Sequence, residues 1–137
     1  MSEKHILVVD DSTSIRRMIA ACLRECGFAV TEATDGAAAL EAVRKQTDGK
    51  HDLVITDQVM PSMDGLTLIR ALRSLSAYAD TPILMLTTEA DGTIREQARA
   101  AGATGFLPKP FDPDGLTDSV MQLFEWHAQT HGSASTH

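Results

Sequence analysis

The chain has 137 residues and is 43% hydrophobic, enough for one compact domain with a self-sustaining core and too short for a second. Lys and Arg number 12 against 19 Asp and Glu, a formal net charge of -7, which excludes a nucleic-acid surface built on clustered cations. The longest apolar runs, Ile6 to Val9 and Pro82 to Leu86, fall far short of the ~20 residues a membrane span needs; with no signal peptide recognisable either, the reading is cytoplasmic.

Five short apolar runs alternate with five longer amphipathic stretches, the rhythm of a parallel α/β sheet. The first strand runs from His5 to Val9 and ends in Asp10 and Asp11. Its helix carries Ile15, Met18, Ile19, Cys22, Leu23 and Cys26 at the three-and-four spacing of one buried face, and Gly27 stops it. Arg16, Arg17, Arg24 and Glu25 fall outside that stripe. Cys22 and Cys26 lack the His or Cys partners of a zinc site and read as buried core thiols.

The second strand spans Ala29 to Glu32 and its helix Gly36 to Gln46. A third strand, Leu53 to Thr56, leads into Asp57 and a helix from Gly65 to Leu75. The fourth, Ile83 to Leu86, leads into Thr87 and Thr88 and a helix from Thr93 to Ala101; the fifth, Gly105 to Leu107, leads into Lys109 and a helix from Asp114 to His127. Asp35, Asp64 and Asp91 each precede a helix, where a carboxylate caps free backbone N–H groups. From Ala128 to His137 the chain is small, polar and aperiodic, so the expectation is a domain over 1–127 and a disordered tail over 128–137.

Ligands of an open parallel sheet bind outside the carboxyl ends of its strands. Here those ends carry Asp10, Asp11, Asp57, Thr87, Thr88 and Lys109. Converging carboxylates raise one another's pKa unless a cation holds them. An oxygen-only ligand set favours Mg²⁺, which Mn²⁺ can replace, over zinc. Mg²⁺ commonly takes one or two carboxylates, waters and a phosphate oxygen, so the ligand that completes the site is a phosphoryl group. Lys109 supplies a mobile positive charge and Thr87 a hydroxyl donor to its oxygens, leaving Asp57 as nucleophile. An Asp after a strand is by itself usually a turn or cap residue; so many charged placements at one edge argue against that plain reading.

The pair Asp10 and Asp11, the run DQVMPSMDG from Asp57 to Gly65, Thr87, and Lys109 with Pro110 resemble the receiver domain of response regulators over nearly the whole chain. Within that family the likeness is to single-domain, CheY-like chemotaxis regulators. The resemblance implies a flavodoxin-like (βα)5 doubly wound sandwich, with a five-stranded parallel sheet of order 2-1-3-4-5. It implies Asp57 as phosphoacceptor, with Asp10, Asp11, Asp57 and the Val59 backbone carbonyl around Mg²⁺. Within that set we expect Asp11 to be the strongest acidic ligand beside Asp57, with Asp10 acting largely through a water or from behind the ligands. Thr87 and Lys109 become phosphoryl contacts, and the Lys109–Pro110 peptide is expected to be cis.

Thr87 and Phe106 form the implied switch, Phe106 standing where many receivers carry Tyr. Val59 and Glu89, two residues beyond Asp57 and Thr87, are where the family tunes the lifetime of the phosphorylated state, and Val59 cannot hydrogen-bond an attacking water. The implied protein is a monomeric signalling switch that catalyses only its own phosphorylation and dephosphorylation. Its partners are a histidine kinase or histidine phosphotransfer protein upstream and a protein target on the face of the fourth helix, fifth strand and fifth helix. A flagellar motor switch protein is the target in the chemotaxis reading; a phosphorelay shuttle or phosphate sink is the other.

Two rivals use similar parts. An Asp-nucleophile phosphatase of the haloacid dehalogenase type needs a second acid two residues on, and position 59 is Val. A flavin module could use Ser12, Thr13 and Ser14 as a phosphate loop, but Asp10 and Asp11 would repel that phosphate, and Tyr78 and Trp126 lie far from the strand ends expected to bind.

Overall fold

Five parallel strands, β1 His5–Val9, β2 Ala29–Ala33, β3 Leu53–Asp57, β4 Ile83–Thr87 and β5 Gly105–Pro108, form one sheet in the order β2-β1-β3-β4-β5. The computed structural model describes residues 4–45, 51–88 and 92–132. Five helices follow the strands in turn: α1 Thr13–Glu25, α2 Gly36–Lys45, α3 Gly65–Arg73, α4 Gly92–Ala101 and α5 Pro113–His127.

Period-two alternation sorts the apolar side chains between two cores. Leu7, Val9, Val54, Ile83 and Met85 face α2, α3 and α4, while Ile6, Val8, Leu53, Ile55, Leu84 and Leu86 face α1 and α5. This is the flavodoxin-like, doubly wound arrangement that the resemblance implied.

Strands β2 to β5 each run one residue further than periodicity alone suggests, because neighbours extend the ladder: Asp57 pairs with Leu86 and Thr87 with Pro108. A 3₁₀ turn, Ser76–Tyr78, lies between α3 and β4 where no element was expected. α3 stops at Arg73, with the Ser74 N–H donating to the Ala71 and Arg70 carbonyls. The caps at Asp35 and Asp64 form, their Oδ1 atoms accepting the Ala38 and Thr67 N–H groups at 2.8 and 2.9 Å. Gln46 and Asp91 lie outside the described residues. At the end of α1, Gly27 adopts φ 94°, a left-handed conformation that glycine takes without penalty.

Two expectations need correction. Arg16 is buried, because its Nη1 donates to the Asp10 carbonyl at 3.0 Å and its Nε lies 3.2 Å from Glu32 Oε1. Cys26 is exposed and Cys22 only half-buried, since Cys26 is the residue at which α1 ends. After α5, Ala128–Gly132 forms a π-helical turn, where the Thr130 hydroxyl donates to the Trp126 carbonyl at 3.0 Å. Residues 133–137 lie outside the described set. Among the described residues no helix is long and apolar enough to cross a membrane.

Candidate functional site

Register brings the site together. Val9 pairs with Thr56, Asp57 with Leu86 and Thr87 with Pro108, so the residues at and just beyond these pairs leave the sheet along one edge. Asp10, Asp11, Ser12, Asp57, Gln58, Val59, Thr87, Thr88 and Lys109 line a cleft of ≈ 390 Å³ there.

Asp10 is fully buried; its Oδ1 accepts the Ser12 N–H at 2.9 Å, and its Oδ2 lies 3.4 Å from Lys109 Nζ. Asp57 is nearly as buried, its Oδ1 accepting the Gln58 N–H at 2.9 Å and its Oδ2 standing 3.1 Å from the same Nζ. Asp11 is exposed. One carboxylate oxygen from each of the three acids lies within 4.8 Å of the others. Burial pushes the Asp57 carboxyl above its ordinary pKa; the Lys109 hydrogen bond opposes that rise and the charge of Asp10 adds to it.

With Lys109 counted, the cluster still carries excess negative charge, two of its three carboxylates being buried, where an uncompensated carboxylate is costly. Its donors are all hard oxygens. That set fits a Mg²⁺ ion and not a soft metal.

Thr87 is buried and on the cleft wall, and its carbonyl accepts the Lys109 N–H at 2.8 Å, joining the ends of β4 and β5. The Lys109–Pro110 peptide is cis, as expected. The Val59 side chain is 72% exposed on the cleft lining. Glu89 lies outside the described residues.

Phe106 does not line the cleft. It pairs in register with Met85, two residues before Thr87 on the same face of β4, and its ring lies against α4, with Arg95 and Arg99 within 6 Å at 5.8 and 5.6 Å.

Some contributors escape sequence reasoning. Gln58 is buried, and its Oε1 accepts the Leu66 N–H at 3.0 Å, tying the residue after Asp57 to the start of α3. Arg16 holds the backbone of Asp10 from behind. Ser12 accepts the Ile15 N–H at 3.4 Å as the cap of α1 while its own N–H orients Asp10. A Ser before an apolar-periodic stretch signals a cap; nothing local signals Gln58 or Arg16. Gly65 is required by space, since a Cβ there would meet the Asp57 carbonyl oxygen at 2.5 Å.

The family model of the response regulator receiver domain matches residues 6–121. The chain is 39% identical over 121 residues to the chemotaxis protein CheY of Pseudomonas aeruginosa, covering 88% of this chain and 95% of that protein. It is 38% identical over 121 residues to CheY-3 of Vibrio cholerae, covering 88% and 91%. Among solved structures, Vibrio cholerae CheY4 matches with a TM-score of 0.84 at 40% identity, covering 89% of this chain and 99% of that one.

Proposed function

The chain belongs to the response regulator receiver domain family, and from that premise we propose that it is a phosphorylation-activated switch of a two-component system, with Asp57 as the phosphoacceptor. The observation that carries this reading is the single Lys109 ammonium set between Asp57 and Asp10, with Asp11 in the same cluster. A carboxylate flanked by a mobile cation and two further acids suits phosphoryl transfer, which depends on positioning and charge neutralisation.

An oxygen of Asp57 attacks the phosphorus of a phosphohistidine or small acyl phosphate. As the new O–P bond forms, the bond to the leaving nitrogen or oxygen breaks, and the leaving atom keeps the electron pair. Lys109 and the Thr87 hydroxyl donate to the phosphoryl oxygens. Asp10, Asp11, Asp57 and the Val59 carbonyl would hold Mg²⁺, with Asp11 direct and Asp10 largely through a water. Bound there, the ion neutralises charge on the transferring group. Val59 offers no side-chain donor or acceptor to a hydrolytic water, and with Glu89 it sets the lifetime of the phosphorylated state.

In this reading the donor is a histidine kinase or phosphotransfer protein, and the output is a protein–protein contact made in the cytoplasm by a monomer. The likeness to proteins named for chemotaxis favours motility control, with a flagellar motor switch protein as target. The target would dock on α4, β5 and α5, where Phe106 and the half-exposed Trp126 flank one hollow.

The test is phosphorylation by a small acyl phosphate in Mg²⁺, followed by intact mass. Wild type gains one phosphoryl group and Asp57→Asn gains none; equal labelling of the two would refute the assignment.

A further inference from the structure

α4 presents two arginines to the ring of Phe106. Arg95 and Arg99 are one helical turn apart and so share a face. Their guanidinium carbons lie 5.8 and 5.6 Å from the ring centroid, inside the ≈ 6 Å reach of a cation–π contact. Arg95 Nε is buried and has no hydrogen-bond partner among the described residues, and the Phe106 ring is the π face within reach of its guanidinium. The ring itself is half-buried on β5, at the edge of the sheet. It borders a hollow of ≈ 400 Å³ whose walls include Leu84, Thr104, Leu123 and Trp126.

We propose that Arg95 and Arg99 are positioning residues that clamp Phe106 at the surface of the unphosphorylated protein and so set how readily the switch turns. This rests on the phosphorylation reading above and adds to it a device made from this chain's own residues. For the ring to turn inward beside Thr87 it must leave both guanidinium groups. The equilibrium between outward and inward rings therefore carries the free energy of two stacking contacts, and a ligand that favours the inward state binds more weakly by that factor. A flat, delocalised guanidinium is needed for the stack; a Lys at either position keeps the charge and loses the plane.

The experiment uses the full chain carrying 4-fluorophenylalanine, with the Phe106 resonance assigned by its loss in F106L. In free protein without Mg²⁺, R95Q/R99Q should move that resonance away from its wild-type position while far-ultraviolet circular dichroism stays unchanged. With Mg²⁺ and beryllofluoride, the double variant should bind about fivefold to thirtyfold more tightly than wild type, the ratio expected from two cation–π contacts. Emission from Trp126, the one tryptophan of the chain, should follow the same titration, since it shares the hollow with Phe106. R95K/R99K should fall between the two. An unmoved Phe106 resonance in the free double variant, or a beryllofluoride affinity equal to or weaker than that of wild type, would overturn the proposal. If wild type itself ignores beryllofluoride, the phosphorylation reading fails, and the free-protein resonance still decides whether the clamp exists.

Discussion

The Lys109 ammonium lies 3.1 Å from the carboxylate of Asp57. Asp57 is the last residue of β3 and Lys109 directly follows β5, strands that do not touch, since β4 separates them. Lys109 also reaches Asp10 at 3.4 Å, so its removal leaves two largely buried acids facing each other. Lys109→Met should slow labelling of Asp57 by a small phosphodonor about 10²-fold, the usual cost of losing one donor to a charged transferring group. The initial rate, read by mass spectrometry at saturating Mg²⁺, checks this; a wild-type rate would leave Lys109 with a structural role only.

Metal binding should be visible as stability. An ion held by Asp10, Asp11 and Asp57 in the folded state raises the free energy of unfolding by RT ln(1 + [L]/Kd), about 1.4 kcal/mol at ten times Kd. The melting temperature of wild type should therefore climb with added MgCl₂ and that of Asp11→Ala should stay nearly flat. A wild-type curve indifferent to millimolar Mg²⁺ counts against the site.

Gly65 tests how closely α3 is drawn to the phosphoacceptor. A methyl group at this position meets backbone at Asp57 and Gln58 at 2.5 and 3.0 Å, and neither atom can swing aside as a side chain would. Gly65→Ala should destabilise the fold by roughly 1–3 kcal/mol, as overpacking does, and should also slow phosphorylation, because the atom displaced belongs to Asp57. Urea unfolding together with the labelling rate measures both; unchanged values of each would show that the loop yields freely.

At the opposite edge of the sheet lies a buried polar network with its own pH signature. His51 is fully buried, its Nδ1 3.1 Å from the Tyr78 hydroxyl and its ring 4.6 Å from that of His5. Burial pushes the imidazole down to about 4; His5 adds to the shift and Asp52 opposes it. The folded state thus prefers neutral His51, and between pH ~6.5 and ~4 the unfolded chain binds the extra proton. Stability from this group is complete above pH ~6.5 and lost as pH falls through 4, up to roughly 3 kcal/mol. Urea unfolding at pH 7 and pH 4.5 should show a steeper loss for wild type than for His51→Gln; parallel losses would exclude His51 as the cause.

Local periodicity determined most of the architecture. The alternation in Ile6 to Val9 and Ile83 to Leu86 and the three-and-four spacing in α1 are repeats of two and about 3.6 residues, set by which face of each element must be apolar. The acids, threonines and lysine at the strand ends were legible for the same reason, because a parallel sheet sends all its carboxyl ends to one edge. The order of the strands came from the family resemblance, since alternation says which face is buried and nothing about which strand is neighbour to which.

What the linear chain could not disclose was the burial of polar groups, which depends on partners brought from elsewhere. Arg16 lies outside the apolar stripe of α1, yet it is buried because Glu32 on β2 and the Asp10 carbonyl converge on it. Cys26 has the spacing of a core residue and is exposed because α1 ends there. Gln58 reads as an ordinary polar loop residue until the close approach at Gly65 seals it against α3. Apolar burial is written along the chain as a period, whereas a buried charge is stabilised by a particular partner, and only the folded register determines which partner arrives.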